Sequence, residues 1–482
     1  MSQPQSETAS QPDAAEQLAR LNCLFGEQQQ AFAREPMPPL EERRQHLRTL
    51  KALLMEHREA IAEAINADFT ARSPTETLLA EIIPCIEQVD YVLKRLKRWM
   101  RPSRRHVNLQ FQPASARVVY QPLGVVGIMV PFNYPLSLAI EPLTAALAAG
   151  NRAMIKMSEF TPRIGVLLGD LLRQGFDEDR VAVVTGEADI AQAFSALPFD
   201  HLLFTGSIPV GKHVMRAAAQ NLTPVTLELG GKSPAIIADD IPLDEIIDRI
   251  VFAKSLNASQ TCVAPDYVLV PRAKVEAFVA AYQQTFQRLY STLGGNPDYT
   301  SIVNERNYQR LHDWLRDAEE KGAHIHTVSD EVIADGTWRM APRLVTNVTD
   351  AMTIMQEELF GPILPVLPYD TLDEALDNVA RRPRPLALYL FTHDRALQER
   401  VMTQTHAGSM AINEAVLQVG IDDLPFGGIG PSGMGQYHGH EGFLTMSKAK
   451  SVLIKGRLNG MRFMYPPYAR AIPQWVLKWL IR

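Results

Sequence analysis

The chain has 482 residues, of which 46% are hydrophobic and 21% are charged. At about 150 residues per domain, this ordinary globular composition allows roughly three structural units. The 48 Lys and Arg residues against 54 Asp and Glu give a net charge of −6, which argues against a nucleic-acid binder that works through bulk positive charge. The three cysteines, Cys23, Cys85 and Cys262, are a poor disulfide framework and suit a reducing compartment.

The N-terminal segment 1–20 is rich in Ser, Gln, Glu and Ala, and we expect it to be a disordered tail. It shows no signal-peptide pattern, and no uninterrupted run of 18 apolar residues occurs, so a cytoplasmic location is expected. Helical periodicity follows at about 46–69 and 76–99. Alternating residues in 101–121 then predict two short strands joined by a turn.

From Gly124 onward, short apolar runs alternate with helical stretches. Runs with few polar interruptions are typical of parallel strands that are covered on both faces. The pattern resumes after Ser233, and it therefore predicts two α/β units. The runs are 124–130, 152–156, 181–184, 201–204, 234–237 and 267–270.

Cys262 is a candidate nucleophile. It lies among small and polar residues just before a predicted strand, in the segment 257–265. A loop thiol near a helix end can be ionised by local dipoles, and the thiolate is the reactive form. The alternative is an inert buried cysteine.

Glu228 is a candidate general base, because it stands between Leu227 and Leu229 and is followed by two glycines. Apolar surroundings raise the pKa of a carboxyl group and make it a usable base near neutral pH. The alternative is a strand-end glutamate that pairs with Lys232.

Two further segments have polar groups suited to a ligand. Asn133, between Pro131 and Pro135, is either a turn residue or an amide donor to an oxyanion. The segment from Gly206 to Gly211 follows a strand and leads into a helix, so its backbone N–H groups can point at an anion. An ordinary strand-to-helix turn is the alternative.

Two motifs are rejected as ligand sites. Gly428–Gly433 matches G-x-G-x-x-G, but it follows no buried strand and contains Pro431, so it predicts a turn packed against other backbone. His438 and His440 lack further ligands at metal-binding spacing, which predicts a solvated loop.

From about residue 40 to 450 the chain resembles the NAD(P)-dependent aldehyde dehydrogenases, and within them the dimeric class 3 branch. It is also similar to bacterial coniferyl-aldehyde dehydrogenases in residues 156–162 and 384–391. The resemblance to the wider family rests on residues 231–237, 260–267, 357–362 and 424–435.

The resemblance implies a catalytic mechanism. Cys262 is expected to attack an aldehyde, with the Asn133 amide and the Cys262 backbone N–H as oxyanion donors. Hydride transfer to nicotinamide then leaves a thioester, which Glu228 helps water to hydrolyse. No step needs a metal. The family commonly has Trp before the asparagine; here that residue is Phe132, which keeps the apolar bulk but lacks the indole N–H.

The resemblance also implies a cofactor site. Lys156 and Glu159 are expected at the adenosine ribose, and Glu358 and Phe360 at the nicotinamide-side ribose. The turn of Gly206, Ser207 and Gly211 is expected at the pyrophosphate. Because Glu159 would repel a 2′-phosphate, NAD is the expected cofactor, with NADP as the alternative.

The fold that the resemblance implies is α/β, with two doubly wound parallel-sheet domains and a small β oligomerisation arm. The expected homodimer would be held by 102–121 and 413–450. The basic, aromatic tail 451–482 is expected to pack on the protein, with contact to an anionic membrane surface as the alternative. The remaining segments are 21–101 with 122–228 for the cofactor domain, and 229–412 for the catalytic domain.

Coniferyl aldehyde, oxidised to ferulate, is the expected substrate. A medium- or long-chain aliphatic aldehyde is the alternative. Two other functions remain open: transfer of the acyl group to coenzyme A, against which the presence of Glu228 argues, and a non-enzymatic structural role on the same fold.

Overall fold

The computed structural model describes residues 14–331, 333, 336–459, 465–468, 475, 478 and 481. Its helices are α1 (Ala14–Arg34), α2 (Leu40–Glu56), α3 (Arg58–Asp68), α4 (Pro74–Thr77), α5 (Ile83–Trp99), α6 (Ser137–Ala149), α7 (Pro162–Gly175), α8 (Ala188–Ser195), α9 (Ile208–Ala219), α10 (Ile247–Ser255), α11 (Val275–Leu289), α12 (Glu305–Glu320), α13 (Thr353–Gln356), α14 (Leu372–Ala380), α15 (Arg395–Gln404) and α16 (Gly439–Thr445). One π-helical turn, Leu78–Ile82, joins α4 to α5.

The strands form three sheets. They are β1 (Ser103–Arg105), β2 (Ala114–Pro122), β3 (Val125–Met129), β4 (Arg152–Lys156), β5 (Val181–Val184), β6 (His201–Thr205), β7 (Val225–Glu228), β8 (Pro234–Ile237), β9 (Tyr267–Pro271), β10 (His324–Thr327), β11 (Arg343–Thr346), β12 (Ile363–Tyr369), β13 (Ala387–Phe391), β14 (Ser409–Ile412), β15 (Gly433–Met434) and β16 (Ser447–Lys455).

The first sheet has the order β15-β7-β6-β3-β4-β5, and all its pairs are parallel except β15 with β7. The chain runs outward from β3 to β5, then returns to the other side of β3 with β6 and β7. This is a doubly wound sheet, with its topological switch point between β3 and β6.

The two faces of β3 explain why the sequence of this strand is a continuous apolar run. Val126 and Ile128 join one buried cluster, whereas Val125 and Met129 join a second cluster on the opposite face. Both faces are covered, as the sequence predicts.

The second sheet has the order β10-β11-β12-β9-β8-β13-β14, with only the β10–β11 pair antiparallel. It is likewise wound in two directions, to β9, β12 and β11 on one side of β8 and to β13 and β14 on the other. The predicted pair of doubly wound parallel sheets is therefore confirmed.

The third sheet has the order β1-β2-β16. The predicted two-strand arm gains a third strand, because β16 pairs antiparallel with the whole of β2. The strand ends at Lys455, beyond the boundary drawn at residue 450. Residues 109–111, expected in a strand, form a 3-10 turn instead. Local alternation does not reveal a partner strand more than 300 residues away.

The N-terminal tail expected over residues 1–20 is too long. Helix α1 begins at Ala14, because its apolar face from Leu21 to Phe25 is buried against the first sheet. The long helix expected over 46–69 is divided at His57 into α2 and α3. Most of the basic aromatic tail, including Trp479 and Arg482, lies outside the described residues. Within the described part of the chain, no helix is long and apolar enough to cross a bilayer.

Candidate active site

The candidate site lies where the carboxyl ends of the first sheet meet the amino ends of the second. Glu228 ends β7, and Asn133 follows β3 by four residues. Only five residues separate Glu228 from Pro234, the first residue of β8. Strand β9, which follows Cys262, pairs with β8 from its first residue. The topology thus places the three predicted catalytic residues at the junction between the two sheets.

Cys262 follows an unusual turn. Asn257, Ala258 and Ser259 have φ angles of 50°, 48° and 62°, so three consecutive non-glycine residues are left-handed. The side chain of Gln260 then bonds to the carbonyl of Ser301 at 3.0 Å and accepts the Val303 N–H at 3.0 Å. The turn and these bonds fix the chain that presents the thiol.

The surroundings of the Cys262 sulfur favour the protonated thiol. Its residue is partly exposed, but burial of the sulfur, with the carboxyls of Glu358 and Glu228 nearby, raises the pKa to about 12. Desolvation and the two carboxyl groups thus oppose the ionisation of the thiol by local dipoles, and the backbone N–H groups favour it.

Hydrogen bonds join the loop of Cys262 to the loop of Asn133. The side chain of Asn257 donates to the Asn133 carbonyl at 2.9 Å and to the Gln260 carbonyl at 3.2 Å. The Tyr134 hydroxyl lies 2.8 Å from Thr261 Oγ1. Asn133 is buried, and its side-chain amide makes no hydrogen bond to the other described residues. The amide is therefore available to a hydrogen-bonding ligand.

Glu228 is buried without a polar partner. Only 2% of the residue is exposed, and neither carboxyl oxygen has a hydrogen-bond partner among the described residues. Burial raises the pKa of Glu228 well above its usual range. The alternative pairing with Lys232 is wrong, since Lys232 forms an ion pair with Asp266.

The Gly206–Gly211 turn lies beside Glu228. The Gly206 N–H donates to the Glu228 carbonyl at 3.0 Å. Ser207 precedes α9, and its side chain makes no capping bond, which leaves the first N–H groups of the helix for an anion. At Gly211 a β-carbon would lie 2.6 Å from Leu229, so glycine permits close packing of the helix.

The predicted ribose residues flank the same switch point. Lys156 ends β4, is buried, and donates to the carbonyls of Met157 and Gly186, both at 2.7 Å. Glu159 is half-buried three residues later. On the other side, burial raises the pKa of Glu358 to about 8.

Four phenylalanines form an aromatic cluster centred on Phe132. The ring of Phe132 lies 5.7 Å from that of Phe360, 5.9 Å from Phe160 and 6.4 Å from Phe69. Phe360 has a φ of 48°. The apolar bulk expected of Phe132 is thus used in an aromatic cluster.

Comparison with known proteins identifies the family. The sequence profile of the Aldehyde dehydrogenase family matches residues 8–452. The chain belongs to the aldehyde dehydrogenase family.

Two curated relatives of this aldehyde dehydrogenase are named for one substrate. It is 58% identical to a probable coniferyl aldehyde dehydrogenase of Pseudomonas aeruginosa, over 97% of this chain and 98% of the relative. It is 44% identical to a coniferyl aldehyde dehydrogenase of Pseudomonas sp. HR199, over 96% of each chain.

Solved structures share the fold over nearly the full length. The substrate-bound AldH of Staphylococcus aureus matches with a TM-score of 0.90 and 36% identity, over 96% of this chain and 99% of that one. An aldehyde dehydrogenase of Mycobacterium tuberculosis, complexed with NAD+, matches with a TM-score of 0.83 and 29% identity, over 92% and 91%. The aldehyde dehydrogenase fold expected from the sequence is confirmed.

The Lys232–Asp266 pair was not predicted as a functional feature. Lys232 Nζ also donates to the carbonyls of Ile354 and Glu357, at 2.8 and 3.0 Å. The second oxygen of Asp266 accepts the Leu359 N–H at 2.8 Å. The pair therefore holds the loop that carries Glu358. The signal in the sequence was the presence of one charged residue in each of two otherwise uncharged family motifs, 231–237 and 260–267.

The rejected glycine motif has a structural role in this aldehyde dehydrogenase. A β-carbon at Gly428 would collide with the Ser432 carbonyl, as expected for a turn packed against backbone. The motif ends in β15, where Gly433 lies opposite Glu228. The Leu229 N–H donates to the Ser432 carbonyl at 3.1 Å. The turn thus supports the strand that carries Glu228.

The solvated loop expected at His438 and His440 is wrong. His438 is buried, its Nε2 lies 3.0 Å from Glu141, and its ring stacks on Phe426. The ring of His440 lies 5.4 Å from Trp99. The segment folds back onto α5 and α6, which removes it from water. In the part of the chain that the structure describes, no three His, Cys, Asp or Glu side chains form a metal site.

Proposed function

We propose that the protein oxidises coniferyl aldehyde to ferulate with NAD+ and water, through a thioester on Cys262. The observation that carries the proposal is the buried, unpartnered carboxyl of Glu228, which lies close enough to Cys262 to raise the pKa of its thiol. Burial of a carboxyl group without hydrogen bonds lowers the stability of the fold. Groups with such a strongly shifted pKa are typical of functional sites.

Asn133 and the Cys262 backbone N–H stabilise the oxyanion that forms when the sulfur adds to the aldehyde carbon. The bonds from Asn257 to the Asn133 carbonyl and from Tyr134 to Thr261 hold the two loops together. Glu228 then takes a proton from the water that attacks the thioester. Its raised pKa suits this role near neutral pH.

The site fits NAD+. Uncapped N–H groups at the start of α9 lie at the switch point, where dinucleotides bind in doubly wound sheets. Lys156 and Glu159 would hold the adenosine ribose. Gly206 and Ser207 would face the pyrophosphate, and Gly211 would let the helix pack closely behind them. Glu358 and Phe360 would hold the nicotinamide ribose. When bound, NAD+ accepts the hydride, and its positively charged ring favours the thiolate of Cys262. Glu159 disfavours NADP through repulsion of its 2′-phosphate.

The choice of coniferyl aldehyde is supported by two relatives, 58% and 44% identical, that are named for that substrate. The aromatic cluster around Phe132 is consistent with a flat substrate and cofactor. The presence of Glu228 favours water over coenzyme A as the acyl acceptor.

The test of the substrate is kcat/KM for coniferyl aldehyde, cinnamaldehyde, benzaldehyde, hexanal and decanal under one set of conditions. We expect coniferyl aldehyde to be preferred. A preference of about tenfold or more for either aliphatic aldehyde, which is about 1.4 kcal/mol in transition-state binding, would overturn the assignment. Equal rates with and without coenzyme A would confirm water as the acceptor.

A further inference from the structure

Arg72 is a fully buried cation between the two catalytic loops, and no step of the proposed reaction uses it. It lies between α3 and α4 and is 1% exposed. Its Nη1 donates to the Asn133 carbonyl at 2.9 Å and forms an ion pair with Glu81 at 3.0 Å. The guanidinium thus reaches the backbone of the residue whose amide faces the substrate.

The partner Glu81 holds the same loop farther along the chain. Its second oxygen accepts the N–H groups of Leu136 and Ser137, at 2.8 and 3.1 Å. Glu81 lies in the π-helical turn Leu78–Ile82, a distortion that is often found at functional sites. Arg72 and Glu81 therefore fix the Asn133 loop at its carbonyl and at its entry into α6.

A second connection leads from Arg72 to the Cys262 loop. Arg72 Nε lies 3.5 Å from Glu76, whose carboxyl accepts the Asn257 N–H at 3.1 Å. Asn257 in turn donates its side-chain amide to the Asn133 carbonyl at 2.9 Å. One carbonyl oxygen therefore receives both Arg72 and Asn257, and the left-handed turn before Cys262 is tied to the same cation.

Two aromatic rings pack against the guanidinium of Arg72. The guanidinium carbon lies 5.1 Å from the ring centre of Phe69 and 5.0 Å from that of Tyr134. The Tyr134 hydroxyl continues the connection to Thr261, next to Cys262. A buried network of one Arg and two carboxyl groups is rigid, because leaving any of these groups without its partner is costly.

We propose that Arg72 is a positioning residue that, through Glu76 and Glu81, sets the Asn133 amide against Cys262 for oxyanion stabilisation. The inference rests on the proposed function of these two residues. Displacement of a catalytic group by about 1 Å can cost about 100-fold in rate. Loss of Arg72 should therefore slow the chemical step while leaving cofactor binding unchanged.

The test uses acylation of Cys262 by p-nitrophenyl acetate, which needs the thiol and the oxyanion donors but no hydride transfer. Arg72→Met is compared with Arg43→Met. Arg43 is also fully buried, and it donates to the carbonyls of Pro38, Ala148 and Ala149. The control thus removes a comparable buried cation that caps α6 away from the cleft.

We expect Arg72→Met to acylate roughly tenfold to 100-fold more slowly than the wild type. The kcat for aldehyde should fall more than KM changes, and the NAD+ dissociation constant should stay the same. Arg43→Met should lower thermal stability but acylate at the wild-type rate. Equal acylation rates in the two folded variants would overturn the proposal.

Arg72→Lys keeps the positive charge inside the cluster and is the second variant if Arg72→Met does not fold. A lysine retains the charge but lacks the fork that reaches Asn133, Glu81 and Glu76 together. We expect this variant to be folded and slower in acylation, and wild-type acylation by it would contradict the positioning role. Cys262→Ser is measured alongside: release of p-nitrophenolate by that variant at the wild-type rate would refute the nucleophile instead, independently of Arg72.

Discussion

At the scale of the residue, Glu228 combines deep burial with a carboxyl group that has no hydrogen-bond partner among the described residues. Burial favours the neutral acid, so its pKa is raised. A general base must be ionised, and a base with a raised pKa gains activity as the pH increases. Thioester hydrolysis should therefore accelerate from acidic to neutral pH.

Glu228→Gln should abolish this acceleration, because glutamine keeps the shape but accepts no proton. Rapid mixing with aldehyde and NAD+ should show a burst of reduced cofactor that matches the number of sites, followed by slow turnover. General-base removal costs about 100-fold or more. The burst itself serves as the control for an intact acylation step. Unchanged steady-state turnover, with the pH dependence preserved, would show that another group is the base.

At the scale of the element, the turn before Cys262 stores backbone strain. A left-handed conformation costs a residue with a β-carbon about 1–2 kcal/mol, and Asn257, Ala258 and Ser259 all adopt it. The turn is held by bonds of the Asn257 side chain and by Gln260. The strain is thus compensated by contacts that also align the nucleophile loop.

Ser259→Gly should stabilise the protein by about 1 kcal/mol, because glycine adopts a φ of 62° without steric cost. Ser259 is buried, and its hydroxyl has no hydrogen-bond partner among the described residues, so little is lost with it. Ser259→Ala is the matched control, since it removes the hydroxyl but keeps the β-carbon. The measurement is the urea midpoint of each variant. A midpoint for the glycine variant at or below that of the alanine variant would disprove the strain.

At the scale of the whole molecule, we propose that the β1-β2-β16 sheet forms a homodimer. Strand β16 is an edge strand, and Leu453 and Ile454 on it are 62% and 44% exposed. An exposed edge with large apolar side chains is a ready pairing surface. A second copy of the chain would pair with the edge of β16 and cover its exposed apolar side chains.

Leu453→Glu should raise the dimer dissociation constant at least about tenfold, or about 1.4 kcal/mol, because it buries a charge at the interface. Sedimentation velocity over a concentration series measures this constant. Leu222→Glu is the control, since Leu222 is 88% exposed at the far end of α9. A monomeric wild type, or identical constants in the two variants, would exclude this sheet as the interface.

The sequence by itself predicted two α/β units with parallel strands, and its resemblance to the aldehyde dehydrogenases implied the doubly wound sheets and the family. Strands covered on both faces are continuous apolar runs, and those runs are local signals. It also singled out Cys262, Glu228 and Asn133, because each stands in a short motif with an unusual neighbour. In the structure all three lie at the junction of the two sheets, and hydrogen bonds join the loops of Cys262 and Asn133.

Only the tertiary structure decided the partners of the charged and polar groups. Lys232 pairs with Asp266 rather than with Glu228 four residues away, His438 is buried against Glu141, and β16 completes the sheet of β2. Arg72 likewise donates to the carbonyl of Asn133, which is 61 residues away along the chain. The physical reason is that burial and ion pairing depend on which segments meet in space. Those contacts form only when the chain folds, so a local sequence pattern does not contain them.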